Sequence, residues 1–281
     1  MTDVAQFDVQ RGQIWQMGAH RLMCGDAGAI ADVTSLMPDT SADMVFTSPP
    51  YLRQRVYAVA LGCWDIMMDA VFTAMPANDV CQIFINLGLV HRDSEWFIYW
   101  DKFFARMQVL GWRKFGWYVW DKMEAMPGNR NGRLSPSFEF IFHFNKMPRQ
   151  ANKIVPCKGA GQWHSKKARG GFCGGKWKNG FGNITSTHKI LDGTLRLTPE
   201  KANRWGHPAV FPVSLPDAAI RSYTNPKQIV YDPFCGSGTT LLAAEQSSRI
   251  GYGMEIAPEY VAMALARWSK LYPDQPPERL V

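Results

Sequence analysis

Apolar and polar positions along the chain follow two periods. Residues 42–46 (ADMVF) and 80–85 (VCQIFI) are short apolar runs bounded by turn residues, the pattern of strands buried on both faces. Residues 96–110 (WFIYWDKFFARMQVL) predict a helix that stops at Gly111, and residues 117–120 and 138–144 predict aromatic strands. The second half continues with a helix over 214–223, a strand over 228–231, a helix over 239–246 opened by a glycine-rich turn, a strand over 250–254 and a helix over 258–271. Strands alternating with helices predict an α/β fold with a mostly parallel, Rossmann-like sheet covered on both faces. No internal repeat is visible, which removes solenoids and propellers.

Composition agrees with a folded chain. A hydrophobic fraction of 46% and a charged fraction of 20% over 281 residues exclude disorder, collagen and a long coiled coil, and leave room for one large domain with an insertion. The opening MTDVAQFDVQRG carries acids and no apolar core, and no run of about 18 apolar residues follows, so no membrane association and a cytoplasmic location are expected. Cys24, Cys63, Cys81, Cys157, Cys173 and Cys235 form no C-x-x-C pair and read as reduced thiols. Cys157, His164 and Cys173 match no familiar zinc spacing, so no metal is expected.

Charge changes the picture more than composition does. The net charge is +7, yet residues 146–205 hold thirteen Lys and Arg against Asp192 and Glu200, so the basic character is local and the remainder is mildly acidic. Within this segment KKARGGFCGGKWKNGFG interleaves glycine with cations and rings. Lys166, Lys167, Arg169, Lys176 and Lys178 are suited to phosphates, and Trp163 and Trp177 to bases, the alternative being a solvated charge run. Three regions follow: a first half over 1–145, a basic nucleic-acid-recognition insert over 146–205, and a second half of the same domain over 206–281.

The sequence YDPFCGSGTT (231–240) places Asp232, Pro233 and Phe234 at a strand end, Gly236 and Gly238 in a tight turn, and Thr239 at a helix start. Such a turn brings backbone close to a ligand and aims helix N–H groups at its negative end. It lacks the Gly-Lys-Ser/Thr ending of a P-loop, which disfavours a nucleoside triphosphate. The next strand ends in Glu255, placed to accept hydrogen bonds from ribose hydroxyls. Dinucleotide and S-adenosylmethionine sites share these features. The discriminating motif is TSPPY (47–51), directly after the ADMVF run.

With TSPPY and DPFCGSGTT together, the chain resembles the amino-methyltransferases of DNA, whose catalytic motif is D/N/S-P-P-Y/F/W. The likeness runs through CGDA (24–27), GWRKFGWYVWDK (111–122), SFEFIFHF (137–144) and HPAVFPVSLP (207–216). The order, catalytic motif first and basic segment between the two, is that of the permuted β group. The resemblance implies S-adenosyl-L-methionine as cofactor, with Asp26 on the adenine amino group and Phe211 beside the methionine portion. It implies double-stranded DNA as substrate, with no obligatory protein partner. Ser48 and the Pro49 carbonyl would accept the hydrogens of an exocyclic amine, Pro50 would help fix the turn, and Tyr51 would stack on an extruded base. Asp26 as a turn cap, Glu255 as a surface carboxylate, and Phe211 or Tyr51 as core packing remain open readings.

Carbon-5 methylation would need a cysteine nucleophile beside a proline, and Pro156-Cys157 in the basic insert is the one such pair. Ser-Pro-Pro-Tyr is associated with cytosine N4. The opening GQIWQMGAHRLMCGDA instead resembles phage-borne enzymes, including the non-specific adenine methyltransferases of Mu-like prophages, and favours adenine N6 with low sequence specificity. An RNA or protein methyltransferase, and a non-catalytic nucleic-acid-binding module, are the readings from other classes.

Overall fold

A computed structural model describes residues 7–51, 64–92, 95–124, 132–158, 160, 163–164, 183–184, 186–200 and 211–281. Its centre is a ten-stranded sheet. In chain order its strands are β1 (Ile14–Met17), β2 (His20–Cys24), β3 (Ala42–Thr47), β4 (Ala77–Leu87), β7 (Arg113–Asp121), β8 (Phe138–Asn145), β13 (Thr194–Arg196), β14 (Ile229–Asp232), β15 (Ile250–Glu255) and β16 (Glu278–Arg279). Two short strands, β5 (Val90–Arg92) and β6 (Glu95–Phe97), pair with each other between β4 and β7 in the chain. The spatial order is β13-β7-β8-β4-β3-β14-β15-β2-β1-β16. The run β4-β3-β14-β15-β2 is parallel throughout, while β8 and β1 enter antiparallel to their neighbours.

Both faces are covered, as the near-continuous apolar strands require. Along β3 successive side chains serve opposite faces: Val45 packs with α1 (Ile30–Leu36), α2 (Trp64–Ala74) and α3 (Asp101–Val109), whereas Met44 and Phe46 pack with α4 (Ser214–Tyr223) and α5 (Thr239–Gln246). The last helix, α6 (Pro258–Leu271), joins α5 over β2 through Leu242, Leu265 and Trp268. The helices over 214–223, 239–246 and 258–271 occur with the expected bounds.

The expected helix over 96–110 is corrected. Only Asp101–Val109 is helical, and Glu95–Phe97 instead forms β6. The run WFIYW is aromatic and β-branched, which suits a strand, and the helix begins at the first carboxylate, where negative charge complements its N-terminal dipole. The segments β1, β2, α1 and α2 carry no strong periodic signal and were not expected as elements.

The basic segment contributes three short ladders. In it β9 (Val155–Pro156) pairs with β12 (His188–Lys189), β10 (Trp163–His164) pairs with β11 (Asn183–Ile184), and β13 extends the main sheet beside β7. Its beginning is tied to the body where Asn152 Nδ2 donates to the Arg221 and Thr224 carbonyls, 3.0 Å each. Among the described residues no helix is long and apolar enough to cross a membrane.

Candidate active site at the carboxyl edge of the sheet

Because β4, β3, β14, β15 and β2 are parallel, their carboxyl ends lie along one edge. The chain leaves β3 towards β4 on one side and β14 towards β15 on the other, so the β3–β14 boundary is the point where strand order reverses. Open α/β sheets bind ligands in the crevice outside such a point. The ends that meet there carry the TSPPY and DPFCGSGTT motifs.

A buried carboxylate joins them. Thr47 Oγ1 donates to Asp232 Oδ1 at 2.7 Å, Thr240 Oγ1 to Asp232 Oδ2 at 2.5 Å, and the Phe234 amide to Oδ1 at 3.1 Å. Asp232 has 0% exposure, and burial pushes its pKa up to about 6 against the lowering effect of those three donors. The side chain is thus engaged inside the protein. What it offers a ligand is the backbone it positions, through Pro233 and Phe234 into the glycine turn.

Gly236 and Gly238 take φ of 52° and 79°, left-handed values that let the chain reverse into α5 without a Cβ penalty. The Gly236 amide donates to Glu255 Oε2 at 2.9 Å and the Ala257 amide to Oε1 at 3.0 Å, so Glu255 braces the turn and the start of α6 together. Burial pushes the Glu255 pKa up to about 7, with the backbone donors opposing and Asp232 adding to the rise. Unlike Asp232 it is partly exposed, and each oxygen keeps lone-pair capacity. Thr239 Oγ1 accepts from the buried Arg267 guanidinium at 2.8 Å.

Asp26 lies two residues beyond Cys24, which pairs with Glu255 across the β2–β15 ladder, so the two carboxylates flank the same edge. Asp26 Oδ1 accepts from the Gly28 amide at 2.8 Å, a local turn contact that also orients the carboxylate. Phe211 is partly buried and meets Phe46 edge-on, ring centroids 5.7 Å apart, beside the end of β3.

In the Ser-Pro-Pro-Tyr motif the Pro50 carbonyl is engaged by Trp64 Nε1 at 2.9 Å, while among the described residues no donor occupies the Pro49 carbonyl. The Ser48 hydroxyl is partly exposed and lies 3.3 Å from Asn86 Oδ1. Tyr51 is 5% exposed, its hydroxyl donating to Glu139 Oε2 at 2.7 Å, so in this structure the ring packs in the core. Glu139 Oε1 pairs with Lys122 Nζ at 2.6 Å.

Thr47, Asn86, Lys122, Glu139 and Thr240 thus join the site without having been singled out in the sequence. A signal existed for Asn86 and Glu139, single polar residues in the otherwise apolar stretches IFINL and FEFIF. Lys166, Lys167, Arg169, Lys176, Trp177 and Lys178 lie outside the described residues, as does Cys173, and Trp163 is described only as backbone in β10.

Fold and site together define a crevice-binding α/β protein with a glycine turn beside a Ser-Pro-Pro-Tyr corner. The N6/N4 DNA methylase family model matches residues 42–266, and the chain belongs to that family, with the motif order of its β group. It is 29% identical over 247 residues to the type II methyltransferase M.BglII of Bacillus subtilis, covering 81% of this chain and 64% of that protein. Against the type II beta methyltransferase M.BslI of a Bacillus species it is 25% identical, covering 89% of this chain and 28% of the relative. The orphan methyltransferase M.BamHII of Bacillus amyloliquefaciens is 27% identical, with 82% of this chain and 89% of that protein covered. The chain therefore spans less than two thirds of the first two of these relatives.

Two solved structures share the fold. PvuII DNA methyltransferase, described as cytosine-N4-specific, gives a TM-score of 0.61 at 20% identity over 90% of each chain. A DNA modification methylase from Thermus thermophilus, solved with S-adenosyl-L-methionine, gives 0.59 at 23% identity over 90% of this chain and 96% of that one.

The bond from Thr47 can be tested alone. Thr47→Val keeps the side-chain shape but leaves a buried carboxylate one donor short, and should lower stability by about 1–3 kcal/mol. Urea unfolding of the two proteins checks this, and an unchanged midpoint would sink the assigned role.

Proposed function

We propose that this chain transfers a methyl group from S-adenosyl-L-methionine to the exocyclic amine of a base in double-stranded DNA, N6 of adenine with low sequence specificity. The observation that carries the reading is the bond between Thr47 and Asp232, which sets the Ser-Pro-Pro-Tyr corner against the glycine turn. The cofactor supplies an electrophilic methyl group on its sulfonium centre.

The residues present fit that cofactor. Glu255 retains acceptor capacity for two ribose hydroxyls, Gly236 and Gly238 leave the turn open to close backbone approach, and the α5 N-terminus receives a carboxylate. Asp26 faces the adenine amino group and Phe211 the methionine portion. Ser48 and the Pro49 carbonyl hold the two hydrogens of the target amine, favouring the pyramidal form in which its lone pair leaves the ring. The ring of Tyr51 forms the surface on which the extruded base stacks, its hydroxyl still held by Glu139. The chemistry then depends on positioning more than on acid–base power.

Cytosine N4 is the second reading, and Ser48 in place of a carboxylate at the first motif position favours it. Incubation with duplex DNA and cofactor followed by nucleoside mass spectrometry decides the base, and RNA and protein run in parallel test the other substrate classes. Absence of methyl incorporation into DNA sinks the proposal. A non-catalytic module is separated by calorimetry, since it has no reason to bind the cofactor.

Cofactor affinity should depend on pH through Glu255. Burial pushes its pKa up to about 7 from the ordinary 4.5, and the ionised form accepts from ribose hydroxyls more strongly than the neutral acid, so binding favours loss of the proton. Affinity should rise with pH up to about 7 and then level off, whereas Glu255→Gln should bind weakly with no such slope. Calorimetry across this range checks it, and a flat wild-type profile would remove Glu255 from the ribose.

The basic segment gives an independent expectation. Changing Lys166, Lys167, Arg169, Lys176 and Lys178 together to alanine should weaken DNA binding similarly across sequences. It should also flatten the log–log salt dependence by about 0.9 for each phosphate that is no longer neutralised. Cofactor binding should survive. An unaltered slope would identify the charge run as a solvated face.

A further inference from the structure

Beneath the catalytic corner lies a polar chain that the proposed reaction does not use directly. Lys122 Nζ donates to Glu139 Oε1 at 2.6 Å, Glu139 Oε2 accepts from the Tyr51 hydroxyl at 2.7 Å, and Asn86 Oδ1 lies 3.3 Å from both the Tyr51 and the Ser48 hydroxyls. Asn86 Nδ2 donates to the Phe140 carbonyl at 3.1 Å, which settles which end of the amide faces Ser48. All four groups come from different elements: the β3 exit, β4, the β7 exit and β8.

Proton counting gives the chain a direction. Lysine only donates and an ionised carboxylate only accepts, so Glu139 accepts a hydrogen bond from Lys122 at one oxygen and from Tyr51 at the other. Tyr51 has a single proton, and the shorter, charge-assisted bond to Glu139 claims it. Burial and the neighbouring carboxylate push the Tyr51 pKa well above its ordinary value, which keeps that proton in place. The oxygens of Asn86 and Tyr51 on the Ser48 side are then left as acceptors. A Ser48 hydroxyl that hydrogen-bonds the Asn86 oxygen and also meets the Tyr51 oxygen turns its hydrogen inward.

The geometry points to Asn86, Tyr51 and the Glu139–Lys122 pair as positioning residues that set the Ser48 hydroxyl as an acceptor towards the substrate. A free serine hydroxyl rotates and can offer its hydrogen to an amine as readily as its lone pair. In the catalytic corner only the acceptor orientation holds an amine hydrogen. The chain removes the competing orientation before substrate arrives, as preorganised dipoles do. This inference rests on the reading of Ser48 as an acceptor for the target amine.

Two measurements test it. The first is single-turnover methyl transfer at saturating DNA and cofactor by Asn86→Leu, Tyr51→Phe and Glu139→Gln, each alone and in a Ser48→Ala background, with calorimetric cofactor affinity and a thermal melt for every protein. Each single change should slow transfer by about tenfold to a hundredfold with cofactor Kd within about twofold, the size of one hydrogen bond to a reacting group. In the Ser48→Ala background the same changes should cost nothing further, because they act through the missing hydroxyl. Equal losses in both backgrounds, or no loss in either, overturn the proposal. The second is neutron diffraction of the free wild-type protein, which needs no turnover. Deuterons on the Tyr51–Glu139 line and between Ser48 and Asn86 or Tyr51 are expected, and a Ser48 deuteron directed at solvent overturns the orientation. If the deuterons lie inward while no DNA is methylated, the functional reading falls and the orientation stands.

Discussion

Asp232 is a carboxylate with no exposure to solvent, and the arrangement of the sheet edge depends on it. Burying a charge is costly unless hydrogen bonds replace its hydration, and three donors do so here, from Thr47, Thr240 and the Phe234 amide. Each comes from a different part of the edge: the end of β3, the start of α5 and the turn between β14 and α5. A single group therefore fixes the Ser-Pro-Pro-Tyr corner, the glycine turn and a helix N-terminus relative to one another. The bond to Thr47 spans 185 positions of sequence. Its loop-closure cost grows only slowly with the length enclosed, so the edge is compatible with the basic segment lying between its halves.

The two acids of the edge, Asp232 and Glu255, divide the work according to how their lone pairs are used. Asp232 is enclosed and faces three internal donors, whereas Glu255 braces two amides and keeps a partly exposed carboxylate. Burial raises both pKa values, to about 6 and about 7, and the charge of Asp232 adds to the rise at Glu255. Of the two, Glu255 is the one with both access to solvent and a titration at neutral pH. The same logic separates Thr240, which serves Asp232, from Ser48, whose partly exposed oxygen remains available at the corner.

Much of this was legible in the sequence because local chemistry determines it. The helices at 214–223, 239–246 and 258–271 match their expected bounds, and the last two carry start signals of their own, a glycine turn before Thr239 and a proline at position 258. The region 96–110 misled because five aromatic and β-branched residues precede a true helix, and periodicity counts them as one apolar stretch. The Tyr51–Glu139–Lys122–Asn86 chain was illegible for another reason. It depends on β4 pairing antiparallel with β8, so that Asn86 opposes Ile141 and reaches the Phe140 carbonyl, and on β7 pairing with β8, so that Trp120 opposes Glu139 and Lys122 follows at its end. Strand register is set by the whole sheet and leaves no mark at the positions it brings together.

Charge distribution bears on how a polyanion could use such an edge. Asp26, Asp232 and Glu255 belong to the carboxyl edge of the sheet, while residues 146–205 hold thirteen of the 31 Lys and Arg. A carboxylate repels a phosphate, whereas it leaves a neutral base unaffected. On the proposed reading this separates the two parts of the substrate. On it the basic segment would hold the backbone, and the edge would receive the uncharged base and a cofactor whose reacting centre is a cation. The same reading gives a reason for uncharged acceptors, Ser48 and the Pro49 carbonyl, at the Ser-Pro-Pro-Tyr corner. An acceptor that must grip an amine hydrogen beside existing carboxylates does so without adding another charge to a site where burial already drives the acids towards their neutral forms.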